Sequence, residues 1–221
     1  MNELLLSEVI GPHQDTKVLV RGNTKNPTHA LILMHGRGAS AEHFLEVIKP
    51  IAIPQHLVVY ALNAGGQSWF PSPFNNPRSQ NEPHLSSALL ALGSVIARAQ
   101  NDFGIMQTNV TMAGFSQGAS LVAEYLATHP AQYNGACIYS GGLFGERIDV
   151  DNIDPTGNLL DTPVYMGCDI EDPYVPLVRF QITRDVLNKL GARLIYREYE
   201  DLRHSIHPEG LDFLGQLMYS H

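Results

Sequence analysis

An α/β protein with a mostly parallel twisted sheet and helices on both faces is what this sequence predicts, and three observations carry that reading. From residue 30 onward short continuous apolar runs recur, the pattern of strands covered on both sides. Amphipathic windows of helical period stand between them. The chain has 221 residues, 44% hydrophobic and only 16% charged, enough for one ordinary apolar core without staples. A single domain over residues 1–221, with no separate lid domain, is therefore expected.

Taken in order, residues 4–10 and 17–21 are separated by Gly11-Pro12-His13-Gln14-Asp15, which reads as an N-terminal antiparallel hairpin. Strands follow at 30–34, 57–62, 110–113, 136–139, 163–167 and 194–199. Ser40 caps a helix through Ile48, and Asn81, with Pro83 just inside, opens a second that aligns Leu85, Leu89, Leu92 and Ile96. A third occupies 119–128. Val178, Ile182, Val186 and Leu190 recur at four-residue steps before Gly191 stops a fourth helix, and Leu211, Leu214, Leu217 and Met218 mark a closing one. Two long loops, 63–80 and 141–161, follow predicted strands, where open α/β sheets gather ligands.

Composition removes several function classes. With 14 basic against 22 acidic side chains the formal net charge is −8, and no basic run exists to neutralise a row of phosphates, so nucleic acid is not expected as a partner. Cys137 and Cys168 fit neither a CxxC redox pair nor a zinc motif and read as reduced core thiols. The start has no basic n-region or small-residue cleavage site, and the uncharged stretches 51–77 and 103–123 are broken by Pro, Gly, Asn and Gln. A soluble cytoplasmic protein without an integral membrane segment is the expectation.

The strongest chemical signal is Gly114-Phe115-Ser116-Gln117-Gly118. A bare GxSxG is weak, but here it follows the apolar run 110–113 and opens a helical window, the strand–turn–helix setting of a nucleophilic serine. So sharp a turn strains the serine, and side chains two residues to either side would strike the neighbouring strand and helix; Gly114 and Gly118 remove that collision. The helix N-terminus behind Ser116 favours developing negative charge. A serine hydroxyl needs a base, and the base an orienting acid, which in this architecture follow in the order acid, then base. The loop after 163–167 offers Asp169, Glu171 and Asp172, and the loop after 194–199 offers His204 and His207. Periodicity does not choose among them. After the first parallel strand, glycines flank Arg37, whose backbone N–H is expected to join that of Gln117 in an oxyanion hole.

Through HGRGAS (35–40), SWFP (68–71), GFSQG (114–118), DPYVP (172–176) and HSI (204–206), the chain from about residue 30 onward resembles the carboxylesterase and phospholipase family of α/β-hydrolases, which includes the acyl-protein thioesterases. The resemblance implies the α/β-hydrolase fold and a carboxylic ester or thioester hydrolase in which Asp172 is the acid and His204 the base. Asp169 and Glu171 then become solvated loop carboxylates, and His207 a helix-start residue beyond the site. Two positions depart from the family pattern: Ala119 stands where many relatives have a second glycine, and Asp201-Leu202-Arg203 replaces a stretch that usually contains one, which leaves the role of Arg203 open.

Trp69, Phe70 and Phe74 on one long loop, with Leu143 and Phe144 on the other, are expected to wall an acyl pocket. The second loop leaves little room for a lid, so an open site for a small-molecule ester of short to medium acyl chain is expected. No metal or organic cofactor is implied: HExxH does not occur, and His204 with His207 lacks a third ligand. The rival reading is a non-catalytic ligand-binding module on the same fold; lysophospholipase or acyl-protein thioesterase activity is an alternative within the same enzyme class. Leaving group, chain length and oligomeric state, a homodimer among the options, stay open at this level. Activity is expected to fall below about pH 6 to 7, where an unpaired imidazole takes up a proton.

Overall fold

The computed structural model describes residues 2–153 and 157–220. Its strands are β1 (Asn2–Leu5), β2 (Lys17–Gly22), β3 (His29–Met34), β4 (Leu57–Leu62), β5 (Val110–Phe115), β6 (Gly135–Tyr139), β7 (Pro163–Asp169) and β8 (Arg193–Tyr199). They form one sheet in the order β1-β2-β4-β3-β5-β6-β7-β8. β2 pairs antiparallel with both β1 and β4, and the remaining pairings are parallel. The helices are α1 (Ala41–Ile48), α2 (His84–Phe103), α3 (Gln117–Thr128), α4 (Leu177–Lys189) and α5 (Pro208–Tyr219).

Continuous apolar runs become strands here because both sides of the sheet are covered. Ala30, Ile32 and Met34 of β3 face a layer closed by α2, α3 and α4, whereas Leu31 and Leu33 face one closed by α1 and α5. β4 divides its side chains the same way, Val58, Tyr60 and Leu62 against Leu57, Val59 and Ala61. Full burial of one such side chain contributes about 1.5–3 kcal/mol, so Phe44 and Ile48 suffice to dock the two turns of α1. Ser40 caps that helix, its hydroxyl accepting from His43 N.

Three expected elements take a different form. The first strand ends at Leu5; Leu6 and Val9 are fully buried in the turn that follows and plug the core instead of extending the hairpin. Asn81 does not cap α2, which starts at His84. Its buried side chain accepts from Ser72 N (2.9 Å) and donates to Pro73 O (3.3 Å), pinning the loop before the helix. In α4 the buried face is Phe180, Thr183, Val186 and Leu187, while Val178 is 63% exposed. Four-residue steps turn about 40° too far each time for a straight stripe, so of the expected row Val186 and Leu190 lie on the face that packs, Ile182 is half-buried and Val178 points away.

Because β3 to β8 run parallel to their neighbours in this half of the sheet, their carboxyl ends share one edge. The loops carrying HGRGAS, SWFP, the GxSxG turn, DPYVP and HSI all start there.

Candidate active site

β5 enters α3 through Ser116, whose φ of 55° and ψ of −115° hold a residue with a side chain in a sparsely populated region. The flanking glycines permit this. A Cβ on Gly114 would lie 2.3 Å from Gly118 O, and one on Gly118 only 2.0 Å from Met34 O. Ser116 N donates to Tyr139 O (2.9 Å), which ties the turn to the end of β6.

His204 brings the three segments together. Its Nε2 lies 2.8 Å from Ser116 Oγ, and its Nδ1 lies 2.8 Å from Asp172 Oδ2. An ionised carboxylate only accepts, so Nδ1 carries the proton and Nε2 presents a lone pair to the hydroxyl. The other Asp172 oxygen accepts from the N–H groups of Tyr174 (2.9 Å) and Val175 (3.1 Å). Burial pushes this carboxyl up, but the hydrogen bond from His204 and the two N–H groups outweigh burial and hold it below the usual carboxylate value. The rings of Phe115 and Tyr174 flank the imidazole, with centroids 4.9 and 4.8 Å away.

The other candidates have other tasks. His207 caps α5, its Nδ1 accepting from Glu209 N (3.2 Å) and its ring stacked on Tyr199 at 4.0 Å. Glu171 is exposed, as a loop carboxylate should be. Asp169 corrects the expectation of a solvated group. It closes β7 opposite Tyr199, is 3% exposed, and spends both oxygens on backbone donors, Glu171 N and Arg203 N, at 2.7 Å each. Asp201 and Arg203 stand at φ 58° and 57°, so the segment without glycine still follows the left-handed path a glycine would favour.

Arg37 and Gln117 border the same cavity as Ser116 and His204. Gln117 opens α3, so its N–H has no partner within the helix. Around Arg37 the turn hydrogen bonds use Gly38 N, to Gln67 O at 2.7 Å, and Ala39 N, to Gly36 O at 3.2 Å. The side chains of both residues, for which motif and spacing indicate no role, tether the SWFP loop. Gln117 Oε1 accepts from Trp69 N (2.9 Å), its Nε2 donates to Phe70 O (2.7 Å), and Arg37 Nη2 donates to Phe70 O (2.8 Å) and Pro71 O (3.0 Å). Two buried histidines extend the tether: His35 Nε2 accepts from Ala64 N (3.1 Å) and His13 Nδ1 from Gly65 N (3.0 Å). Burial depresses the proton affinity of both rings, which suits these acceptor roles.

The cavity over Ser116 measures about 930 Å³, and its apolar wall includes Phe70, Phe74, Phe115, Tyr174, Val175 and Leu211. Three of the aromatic and aliphatic residues expected to line it do not. Trp69 is fully buried behind the loop, its Nε1 donating to His35 O (2.8 Å). Leu143 and Phe144 are drawn down onto α3 and α4 because Leu143 N donates to Thr183 Oγ1 and Phe144 N to Glu124 Oε2, each at 3.0 Å. Phe144 then backs the wall edge-on, 4.7 Å from the Phe70 ring and 6.4 Å from Phe74. Among the described residues no helix is long and apolar enough to cross a membrane, and no His, Cys, Asp and Glu cluster could hold a metal ion.

Comparison with known proteins identifies the family. A family model described as phospholipase/carboxylesterase matches residues 16–221. Acyl-protein thioesterase 1 of Gibberella zeae is 32% identical over 111 residues, 50% of this chain and 47% of that protein. Acyl-protein thioesterase 1 of Kluyveromyces lactis is 29% identical over 165 residues, covering 71% of this chain and 72% of the relative. The chain thus spans about half the length of the first of these relatives and more of the second. A phospholipase/carboxylesterase from Dyadobacter fermentans superposes with a TM-score of 0.84 at 29% identity, over 92% of this chain and 96% of its own.

Proposed function

The chain belongs to the phospholipase/carboxylesterase family, built on the α/β-hydrolase fold, and from that premise we propose that it cleaves carboxylic esters or thioesters of short to medium acyl chains with Ser116 as nucleophile, His204 as base and Asp172 as acid. The observation that carries this reading is His204 bridging Ser116 Oγ and Asp172 Oδ2 at 2.8 Å on each side.

His204 Nε2 takes the hydroxyl proton as Ser116 Oγ bonds to the carbonyl carbon, and the carbonyl π electrons move onto oxygen. That oxyanion is met by the N–H groups of Arg37 and Gln117; losing one such donor costs roughly 3 kcal/mol of transition-state stabilisation. The imidazolium returns its proton to the leaving oxygen or sulfur as the acyl bond breaks, while Asp172 holds the tautomer and offsets the positive charge. Water then attacks the acyl-enzyme carbonyl as His204 Nε2 takes its proton, and that proton passes to Ser116 Oγ as the Oγ–acyl bond breaks and the acid leaves. Thioesters fit the same steps, and two relatives are acyl-protein thioesterases by name. The volume of about 930 Å³ supports a drug-sized acyl ester. The buried, unbridged thiols of Cys137 and Cys168 support a cytoplasmic setting.

The test is stoichiometric labelling by a fluorophosphonate, expected at Ser116 and lost in Ser116→Ala, followed by a series of nitrophenyl esters, thioesters and lysophospholipids. An unlabelled Ser116 would sink the triad. Turnover confined to long-chain emulsified lipid, with none on acetate or butyrate, would sink the chain-length reading.

A further inference from the structure

We propose that Asp169 is a positioning residue for the acyl-transfer step: its buried carboxylate clasps the loop that carries Asp172 to the loop that carries His204. The inference rests on the Ser116, His204 and Asp172 reading and goes one step beyond it.

Asp172 and His204 stand on separate loops after neighbouring strands. The ladder between β7 and β8 ends at the pair Asp169 and Tyr199, closed by Ile170 N donating to Tyr199 O at 2.9 Å. Past that rung the two loops run apart, and the His204 loop has little burial of its own: Glu200, Asp201, Arg203 and Ser205 are all exposed. Its backbone is also strained, since Asp201 and Arg203 both adopt positive φ without being glycine. Something must hold it. Among the described hydrogen bonds, the one that ties residues 200–203 to another segment runs from Arg203 N to Asp169 Oδ2, at 2.7 Å. The second oxygen takes Glu171 N at 2.7 Å, one residue before Asp172, and Asp169 O accepts from Asp172 N at 3.3 Å. A single side chain, 3% exposed, therefore touches the chain next to the base and next to the acid. Charge-assisted bonds to a buried carboxylate are roughly twice as strong as neutral ones, which suits a clasp.

The consequence is kinetic. Phe70 and Phe74 of the substrate wall lie on another loop, and Tyr174 and Val175, which follow Asp172, keep their own N–H bonds to Asp172 Oδ1, so a slackened hold on Arg203 misaligns the imidazole and leaves ground-state binding nearly unchanged. In Asp169→Asn the shape is kept, but the amide NH₂ must face one of the two N–H donors. A misplacement of about 1 Å costs on the order of 100-fold in rate, so kcat is expected to fall about 10- to 100-fold. KM should stay within roughly twofold, the signature of an interaction felt only in the transition state. Adding Arg203→Gly, which adopts positive φ without strain, is expected to restore part of the lost kcat. In the parent protein, amide hydrogen exchange at Arg203 should be slow despite its exposed side chain. A kcat for Asp169→Asn within roughly twofold of the parent, or an equal loss spread over KM, would overturn the proposal. So would an Arg203 amide exchanging like that of an unstructured peptide, a measurement that decides even if the variant fails to fold. Fluorophosphonate labelling of the parent separates the two failures: no labelling defeats the triad itself, whereas normal labelling with unimpaired Asp169→Asn turnover defeats the clasp alone.

Discussion

Replacing Gln117 by alanine removes a side chain but keeps the backbone N–H assigned to the oxyanion, so it separates two tasks carried by one residue. The parent side chain accepts from Trp69 N and Ser68 Oγ and donates to Phe70 O. After truncation Ser68 Oγ keeps Phe70 O as acceptor (3.0 Å), and Phe70 O keeps the Arg37 guanidinium as donor (2.8 Å). Trp69 N keeps nothing, and Trp69 is fully buried. One orphaned buried donor costs about 1–3 kcal/mol, and the void left by the side chain adds about 1 kcal/mol. Alanine is a good helix former, so the start of α3 adds no penalty. The sum, about 2–4 kcal/mol, converts at about 2–4 °C per kcal/mol for a chain of this size into a fall in Tm of about 4–16 °C. Kinetically, the Phe70 wall loosens while the N–H donors remain, so KM for nitrophenyl esters should rise more than kcat falls. Gln117→Glu should not rescue, because its second oxygen would face Phe70 O, acceptor against acceptor. Differential scanning calorimetry and Michaelis kinetics on the purified variants make the check. A Tm unchanged to within about 1 °C, or a large kcat loss at constant KM, would refute the tether.

Two further outcomes follow from the same geometry. Burial lowers the proton affinity of His13 and His35, whose ring nitrogens accept from Gly65 N and Ala64 N. The unfolded chain then binds more protons in acid, so the stability these rings contribute is full above about pH 6.5 and is lost as pH falls from there toward their folded values, at up to about 1.4 kcal/mol per pH unit per ring. Urea midpoints measured from pH 8 to pH 5 should fall accordingly, and midpoints that stay level would contradict the neutral, accepting rings. Phe144→Ala empties the space behind Phe70 and Phe74, at a cost of about 3–5 kcal/mol for a buried phenylalanine. Because Phe144 stands behind the wall and not in it, the variant should raise KM without lowering the rate of fluorophosphonate labelling at saturation; a loss confined to that rate would return Phe144 to the site itself.

The strands, the covered sheet and the serine turn are legible because each leaves a local pattern: an apolar run, a helical stripe, two glycines at fixed offsets around Ser116. The acid and base were not readable from periodicity, which left three carboxylates and two histidines. Only the resemblance singled out Asp172 and His204. Three of the misreadings share one physical cause. The resemblance implies a solvated Asp169, and residue type implies Asn81 as a helix cap and Trp69 as a pocket wall, yet each spends polar atoms on backbone groups outside its own element: Asp169 on Glu171 N and Arg203 N, Asn81 on Ser72 N and Pro73 O. Trp69 Nε1 donates to His35 O, 34 residues distant in the chain. Such long-range satisfaction of backbone donors and acceptors has no period in the sequence.

The two halves of the site are held by different means, and that difference governs how each should respond to change. Ser116 and its donors are set by the middle of the sheet: Gly118 leaves no space for a methyl group against Met34 O, and Ser116 N is bound to Tyr139 O. Displacing them means opening the core itself, since the contacts there are backbone to backbone. Asp172 and His204 hang instead from β7 and β8, at the edge of the sheet where β8 has a neighbour on one side only. There alignment depends on a few hydrogen bonds to carboxylates, which can slacken without unfolding anything. Strain at Ser116 is thus carried by a rigid support, whereas strain at Asp201 and Arg203 is carried by a clasp. A reaction that requires three side chains within hydrogen-bond reach is exposed mainly to motion on the second side, and sequence change near Arg203 should therefore tune turnover before it touches stability.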